Sequence, residues 1–151
     1  MQASLKMELK PKFGIDNLKF GMSQKEVSDI LGQPDRIFQL DDFGDNEMVW
    51  EWNEKFLRLT FYHEENNRFG YLRTMHPDLT YNGQKILNLP PEVVKEKLFP
   101  ELIQWDKNEF DFLTMYFNEK YWLNLNCEYG LVLDLEMGVP FKNDEDYDWP
   151  I

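Results

Sequence analysis

Apolar and polar residues alternate with period two along several runs of this chain. Leu57, Leu59 and Phe61 stand against Arg58, Thr60 and Tyr62, and Leu123, Leu125 and Cys127 stand against Trp122, Asn124 and Asn126. The last run sets Leu131, Leu133, Leu135 and Met137 against Val132, Asp134 and Glu136. Successive strand side chains point to opposite faces, so the pattern predicts an antiparallel sheet covered on one side and polar on the other. Strands are expected at about 36–40, 47–52, 56–63 and 69–75, and again at about 102–106, 111–117, 121–127 and 131–137. Asn66-Asn67 and Tyr129-Gly130 suit turns, because these residue types accept positive φ. The opening Ser4–Lys10 alternates as well and reads as a strand or a loose arm ended by Pro11.

Helical signals are local. Ser23 followed by Glu26 forms a capping box, in which each side chain satisfies a backbone N–H of the other residue. Val27, Ile30 and Leu31 then share a face, Gly32 supplies a stop and Pro34 prevents continuation. A second helix is expected after Pro90-Pro91-Glu92, with Val94 and Leu98 four apart on one face and Pro100 closing it.

Two stretches resemble one another. Trp52-Asn53-Glu54-Lys55-Phe56 and Phe117-Asn118-Glu119-Lys120-Tyr121 each set Asn-Glu-Lys between aromatic residues, and each follows a helix-like segment. Such self-similarity predicts a duplicated unit. The expected fold is α+β, with two repeated helix-plus-antiparallel-strand units forming one sheet and helices on one face. Residues 1–151 are read as a single domain with repeats at about 14–77 and 80–141. An acidic tail, 142–151, is read as a loop or an ordered extension anchored by Tyr147 and Trp149.

Charge narrows the partners. Sixteen basic residues face 28 acidic ones, a net charge of −12, which disfavours nucleic acid and anionic membrane surfaces and favours a basic protein. A single cysteine, Cys127, allows no disulfide within the chain and fits a reducing compartment. No apolar run approaches the ~20 residues that span a bilayer, and the first residues lack the apolar core of a signal peptide. The chain is therefore expected to be cytoplasmic, and a monomer or weak dimer.

Catalytic and metal chemistry find little support. His63, His76 and Cys127 are too few soft ligands for zinc. Asp144, Asp146 and Asp148 imitate the start of a calcium loop but lack its glycine and its final Glu. Ser23 is a helix cap, Ser28 a helix surface residue, and no phosphate-binding glycine loop is present. No cofactor, no metal and no catalytic residue are expected. The candidate binding surface consists of Trp50, Trp52, Tyr62, Tyr116 and Trp122, with Asp41, Asp42, Asp45 and Glu47 from the loop and strand start before them. Core packing competes for each aromatic residue and is expected to claim at least half. Those left on the uncovered face would be rigid anchors for a basic protein.

The string Gly21-Met22-Ser23-Gln24-Lys25-Glu26-Val27 with Ile30-Leu31-Gly32-Gln33-Pro34 resembles the helix-opening signature of two families. These are the SmpA/OmlA-type (BamE-like) outer-membrane assembly lipoproteins and the repeats of beta-lactamase inhibitory protein. The likeness covers about 20 residues in the first copy and is weak in the second, and it implies fold more than partner. It implies two copies joined in one sheet with a concave binding face. An acidic relative of a protein inhibitor implies an immunity protein that neutralises a basic bacterial toxin, such as a nuclease, by occluding its active site. Two alternatives stand beside it: a non-enzymatic assembly or scaffold module, and an enzyme with an unrecognised site.

Overall fold

The alternating runs pair edge to edge into one large antiparallel sheet. The computed structural model describes residues 6–40 and 47–150. Eight strands follow the order β4 (Arg36–Leu40), β5 (Glu47–Trp52), β6 (Leu57–Tyr62), β7 (Arg68–Thr74), β13 (Leu131–Gly138), β12 (Leu123–Glu128), β11 (Leu113–Asn118), β10 (Asp106–Phe110). Each half is thus a four-strand meander, and the halves meet where β7 pairs with β13. Bulges at Thr60/Phe61 and Asn126/Cys127 interrupt the register in either half, and such bulges bend a sheet.

The sheet's covered face is the core. One cross-strand row runs Trp52, Leu57, Thr74, Leu135, Leu125, Tyr116. The next runs Trp50, Leu59, Leu72, Met137, Leu123. Buried residues from outside the sheet join the same cluster, among them Phe20, Val27, Leu31, Leu79, Ile86, Leu98 and Phe99. They come from a small sheet of β1 (Leu9–Lys10), β2 (Gly14–Ile15) and β3 (Leu18–Lys19), from helix α1 (Gln24–Leu31), and from the stretch between the meanders. In α1, Ser23 Oγ accepts from the Glu26 N–H and Glu26 Oε1 accepts from the Ser23 N–H, which is the capping box.

The expected α+β class is corrected: the protein is mainly β, without repeated helical units. Helix α1 has 8 residues, and the second helical segment is only α2 (Pro91–Val93) continued by a π-helical turn, Val94–Leu98. Its physical limits are in the sequence. Pro91 starts it, and the Phe99–Pro100 step removes Phe99 from helical geometry; Phe99 instead donates to the Val94 carbonyl at 3.1 Å. That wider turn still buries both Val94 and Leu98.

The strand expected at 102–106 lies later, at Asp106–Phe110. Leu102 is committed elsewhere: it is 5% exposed, and its N–H closes a turn on the Phe99 carbonyl. The joining stretch also holds a hairpin, β8 (Thr80–Tyr81) with β9 (Gln84–Lys85), turned by Asn82 and Gly83 at φ 51° and 76°. No described helix is long and apolar enough to cross a membrane.

Candidate functional site

Strand parity sorts the aromatic candidates. Trp50, Trp52 and Tyr116 share rows with the core leucines, so they are buried at 8%, 4% and 7% exposure rather than displayed. Trp50 packs on Phe61 with ring centroids 4.8 Å apart, and Trp52 donates its Nε1–H to the Gly32 carbonyl at the end of α1. Tyr116 lies under Lys95 of the π-helical turn, 4.0 Å from the ring centroid. These three are therefore candidates that core packing claims, and they do not belong to an exposed surface. Asp41, Asp42 and Asp45 lie outside the described residues.

The opposite face carries a polar row across all eight strands: Arg36, Glu51, Arg58, Arg73, Glu136, Asn124, Phe117 and Asp106. Its centre is tightly bonded. Arg73 Nη2 donates to Asp134 Oδ2 at 3.0 Å, and the Tyr71 hydroxyl donates to Glu136 Oε1 at 3.0 Å. Asn126 Nδ2 donates to Asp134 and, at 2.7 Å, to Glu136, while Asn124 donates to Asn126. Asn124, Asn126 and Asp134 are buried, so each needs these partners to offset lost water. Burial, and then the Glu136 charge, push the Tyr71 hydroxyl well above the ordinary tyrosine range.

The tail completes this face. Beyond β13, Val139 donates to the Gly70 carbonyl at 2.8 Å, and the following residues lay a chain of rings over one end of the sheet. Centroid separations run 5.1 Å from Phe117 to Trp122, 5.2 Å to Phe141, 4.5 Å to Tyr147 and 5.2 Å to Tyr62. Trp149 flanks Tyr62 and Tyr147, and donates its indole N–H to Glu65 Oε1 at 3.2 Å. The expected residues Tyr62 and Trp122 thus belong to one aromatic arc, Tyr62 at one end and Trp122 beside Phe117 at the other. Burial is the main reason the Tyr62 hydroxyl holds its proton far above the usual range.

Carboxylates rim the Tyr62 end. A cleft of about 300 Å³ is lined by Glu47, Glu64, Glu65, Glu145 and Asp146, together with Tyr62, Phe141 and Tyr147. Glu47, the remaining expected residue, therefore does join Tyr62. The loop that places the acids is built by Asn143, whose Oδ1 accepts from the N–H groups of Glu145 and Asp146 at 2.8 Å. Phe141 stays 43% exposed at this lip. The arrangement sets the Phe141, Tyr147 and Tyr62 rings among five carboxylates, so this end of the face combines apolar area with negative charge. Among the described residues, no group of three or more His, Cys, Asp or Glu is placed to hold a metal ion.

Sequence reading missed Phe141, Tyr147, Glu64, Glu65, Glu145 and Asp146 as one surface, because only the tail's return across the sheet unites them. It also passed over Tyr71, Arg73, Asn126 and Asp134. Their signal was present in the polar parity of the strands, and only the cross-strand register converts it into a network.

No family model matches the chain, and no curated protein matches it. Among solved structures, it is similar to an extracellular protein containing an SCP domain from Bacillus anthracis str. Ames, with a TM-score of 0.51 and 11% identity. That match covers 78% of this chain, which spans only 43% of the other protein's length. A DUF4309 family protein (YjgB) from Bacillus subtilis subsp. subtilis str. 168 matches with a TM-score of 0.49 and 17% identity over 88% of each chain. At this identity the first match speaks for fold alone. Neither is a protein of the two families that the helix-opening motif resembles.

Proposed function

We propose that this chain is a non-enzymatic protein-binding inhibitor of the immunity type, which grips a basic bacterial toxin and occludes its active site. The observation that carries the reading is the aromatic arc from Trp122 to Tyr62, rimmed by Glu47, Glu64, Glu65, Glu145 and Asp146. Aromatic anchors provide contact area at low entropic cost, and they are enriched where binding energy concentrates. The net charge of −12 adds long-range attraction for a cationic partner and speeds encounter. The ordered tail, held by Tyr147 and Trp149, presents its acids on a fixed loop and so lowers the ordering cost of binding.

The test is co-purification of the tagged chain with the products of neighbouring genes, followed by affinity measurement on whichever product is captured. Binding is expected to weaken steeply between about 50 and 200 mM salt, since Debye screening shortens over that range. Reversing two exposed acids together, Glu64→Lys and Glu145→Lys, is expected to slow association about tenfold. Capture of none of these products, or an association rate indifferent to salt and to both reversals, overturns the proposal.

A further inference from the structure

The middle of the open face sets two arginines opposite each other on neighbouring strands. Arg58 and Arg73 are direct cross-strand partners, an arrangement that like charges disfavour. Among the described residues each has one ion pair, and the pairs lie on opposite flanks: Arg58 Nη2 meets Glu51 Oε1 at 3.1 Å and Arg73 Nη2 meets Asp134 Oδ2 at 3.0 Å. A guanidinium has five N–H donors, so both groups keep donors for a further acceptor. Their side chains are 43% and 44% exposed.

Two clefts meet at this pair, and both arginines line both clefts. The larger, about 320 Å³, continues from the arginines over Leu57 and Trp52 to Phe56 and Met75. Phe56 and Met75 are 47% and 54% exposed, so the apolar end of the cleft is open to a ligand. Phe56 is fixed there: it sits at φ 50°, and its carbonyl accepts from the Thr74 hydroxyl at 2.8 Å and from the Met75 N–H at 3.2 Å. A cleft of this size, apolar at one end and with convergent donors at the other, has the layout of a small-molecule site.

We propose that this cleft binds a small organic monocarboxylate with an apolar or aromatic body. The carboxylate bridges Arg58 and Arg73, and the body lies on Phe56 and Met75. Charge selects a monoanion over phosphate. Glu51 and Asp134 line this cleft with the two arginines, and Glu47 and Glu136 line the smaller one beside it, so added negative charge meets fixed carboxylates and a dianion meets about twice the repulsion of a monoanion. A carboxylate also matches a guanidinium fork in shape. This cleft shares no lining residue with the acidic lip, so its failure and that of the inhibitor reading are distinguishable.

Isothermal titration of the full chain tests it, with 4-phenylbutyrate as probe and 4-phenylbutanamide and inorganic phosphate as comparators. The acid is expected to bind, with the amide and phosphate each at least about tenfold weaker. Arg58→Gln is expected to weaken the acid about tenfold or more. Arg36→Gln, from the same row but outside both clefts, is expected to change it less than about twofold. Circular dichroism establishes that each variant is folded, and the three-ligand comparison on the unaltered chain stands even if a variant is not. An affinity for the acid weaker than about 10 mM, equal binding of the amide, tighter binding of phosphate, or an unchanged Arg58→Gln variant overturns the proposal.

Discussion

Gly70→Ala isolates the packing that builds the aromatic arc. Gly70 lies in β7 directly beneath the Tyr62 ring. A Cβ there would stand 2.3, 2.5 and 2.7 Å from three Tyr62 ring carbons, well inside any van der Waals contact. Gly70 lies outside the left-handed region, so alanine brings no backbone strain and the cost is steric. The ring has little room to retreat, with Tyr147 at 5.2 Å and Trp149 at 6.3 Å. Overpacking of this kind costs about 1–3 kcal/mol. Tyr62→Ala removes all three of the atoms nearest the added methyl, and alanine is no worse than glycine in a strand. The coupling between the two changes is therefore expected to be about 1–3 kcal/mol. Urea unfolding of the parent, both single variants and the double variant measures it, with unchanged m-values as the condition for comparison. A Gly70→Ala variant as stable as the parent, or one whose cost persists undiminished without Tyr62, would show that the Tyr62 ring is not packed on Gly70.

Other consequences are equally direct. Phe61→Ala empties a fully buried site against Trp50 and Phe69, and should cost about 3–5 kcal/mol by the same unfolding assay. Asn126→Ala leaves the buried Asp134 and its neighbour Glu136 each short of a donor, so a loss of about 1–3 kcal/mol is expected. Burial pushes the Cys127 thiol from its ordinary 9.0 up to about 11 and raises the Tyr62 and Tyr71 hydroxyls too. The unfolded chain releases these protons first, so stability falls as pH rises from about 9 through 11; the urea midpoint at pH 7.5 against pH 10.5 checks the sign. Cys127 should accordingly react slowly with thiol reagents at pH 8 until denaturant is added.

What the sequence disclosed was mostly local. The strands expected at 36–40 and 47–52 form there, because alternation and flanking turn residues act over short range. The Ser23–Glu26 box forms for the same reason. The class differs because local helix signals say little about length: Gly32 and Pro34 hold α1 to 8 residues, and Pro91 and Pro100 bound a second segment of α2 and one π-helical turn. Asn82-Gly83, a strong hairpin signal, was legible and was passed over in the joining stretch. The binding surface was harder. Trp50 and Trp52 look displayable in isolation, and only pairing with Leu59 and Leu57 fixes them on the covered face. Nothing near Tyr147 in the chain announces that it meets Tyr62; that contact follows from β13 ending beside β7, which hands the tail to the first meander.

On the function proposed above, partner contact is made at the tail-built lip of the open face. Backbone hydrogen exchange, compared with and without a captured basic partner, tests it most directly. New protection is expected at Tyr62–Glu65 and Phe141–Trp149, with α1 and the π-helical turn unchanged. Protection confined to those helical segments, with the lip exchanging as in the free protein, would contradict it.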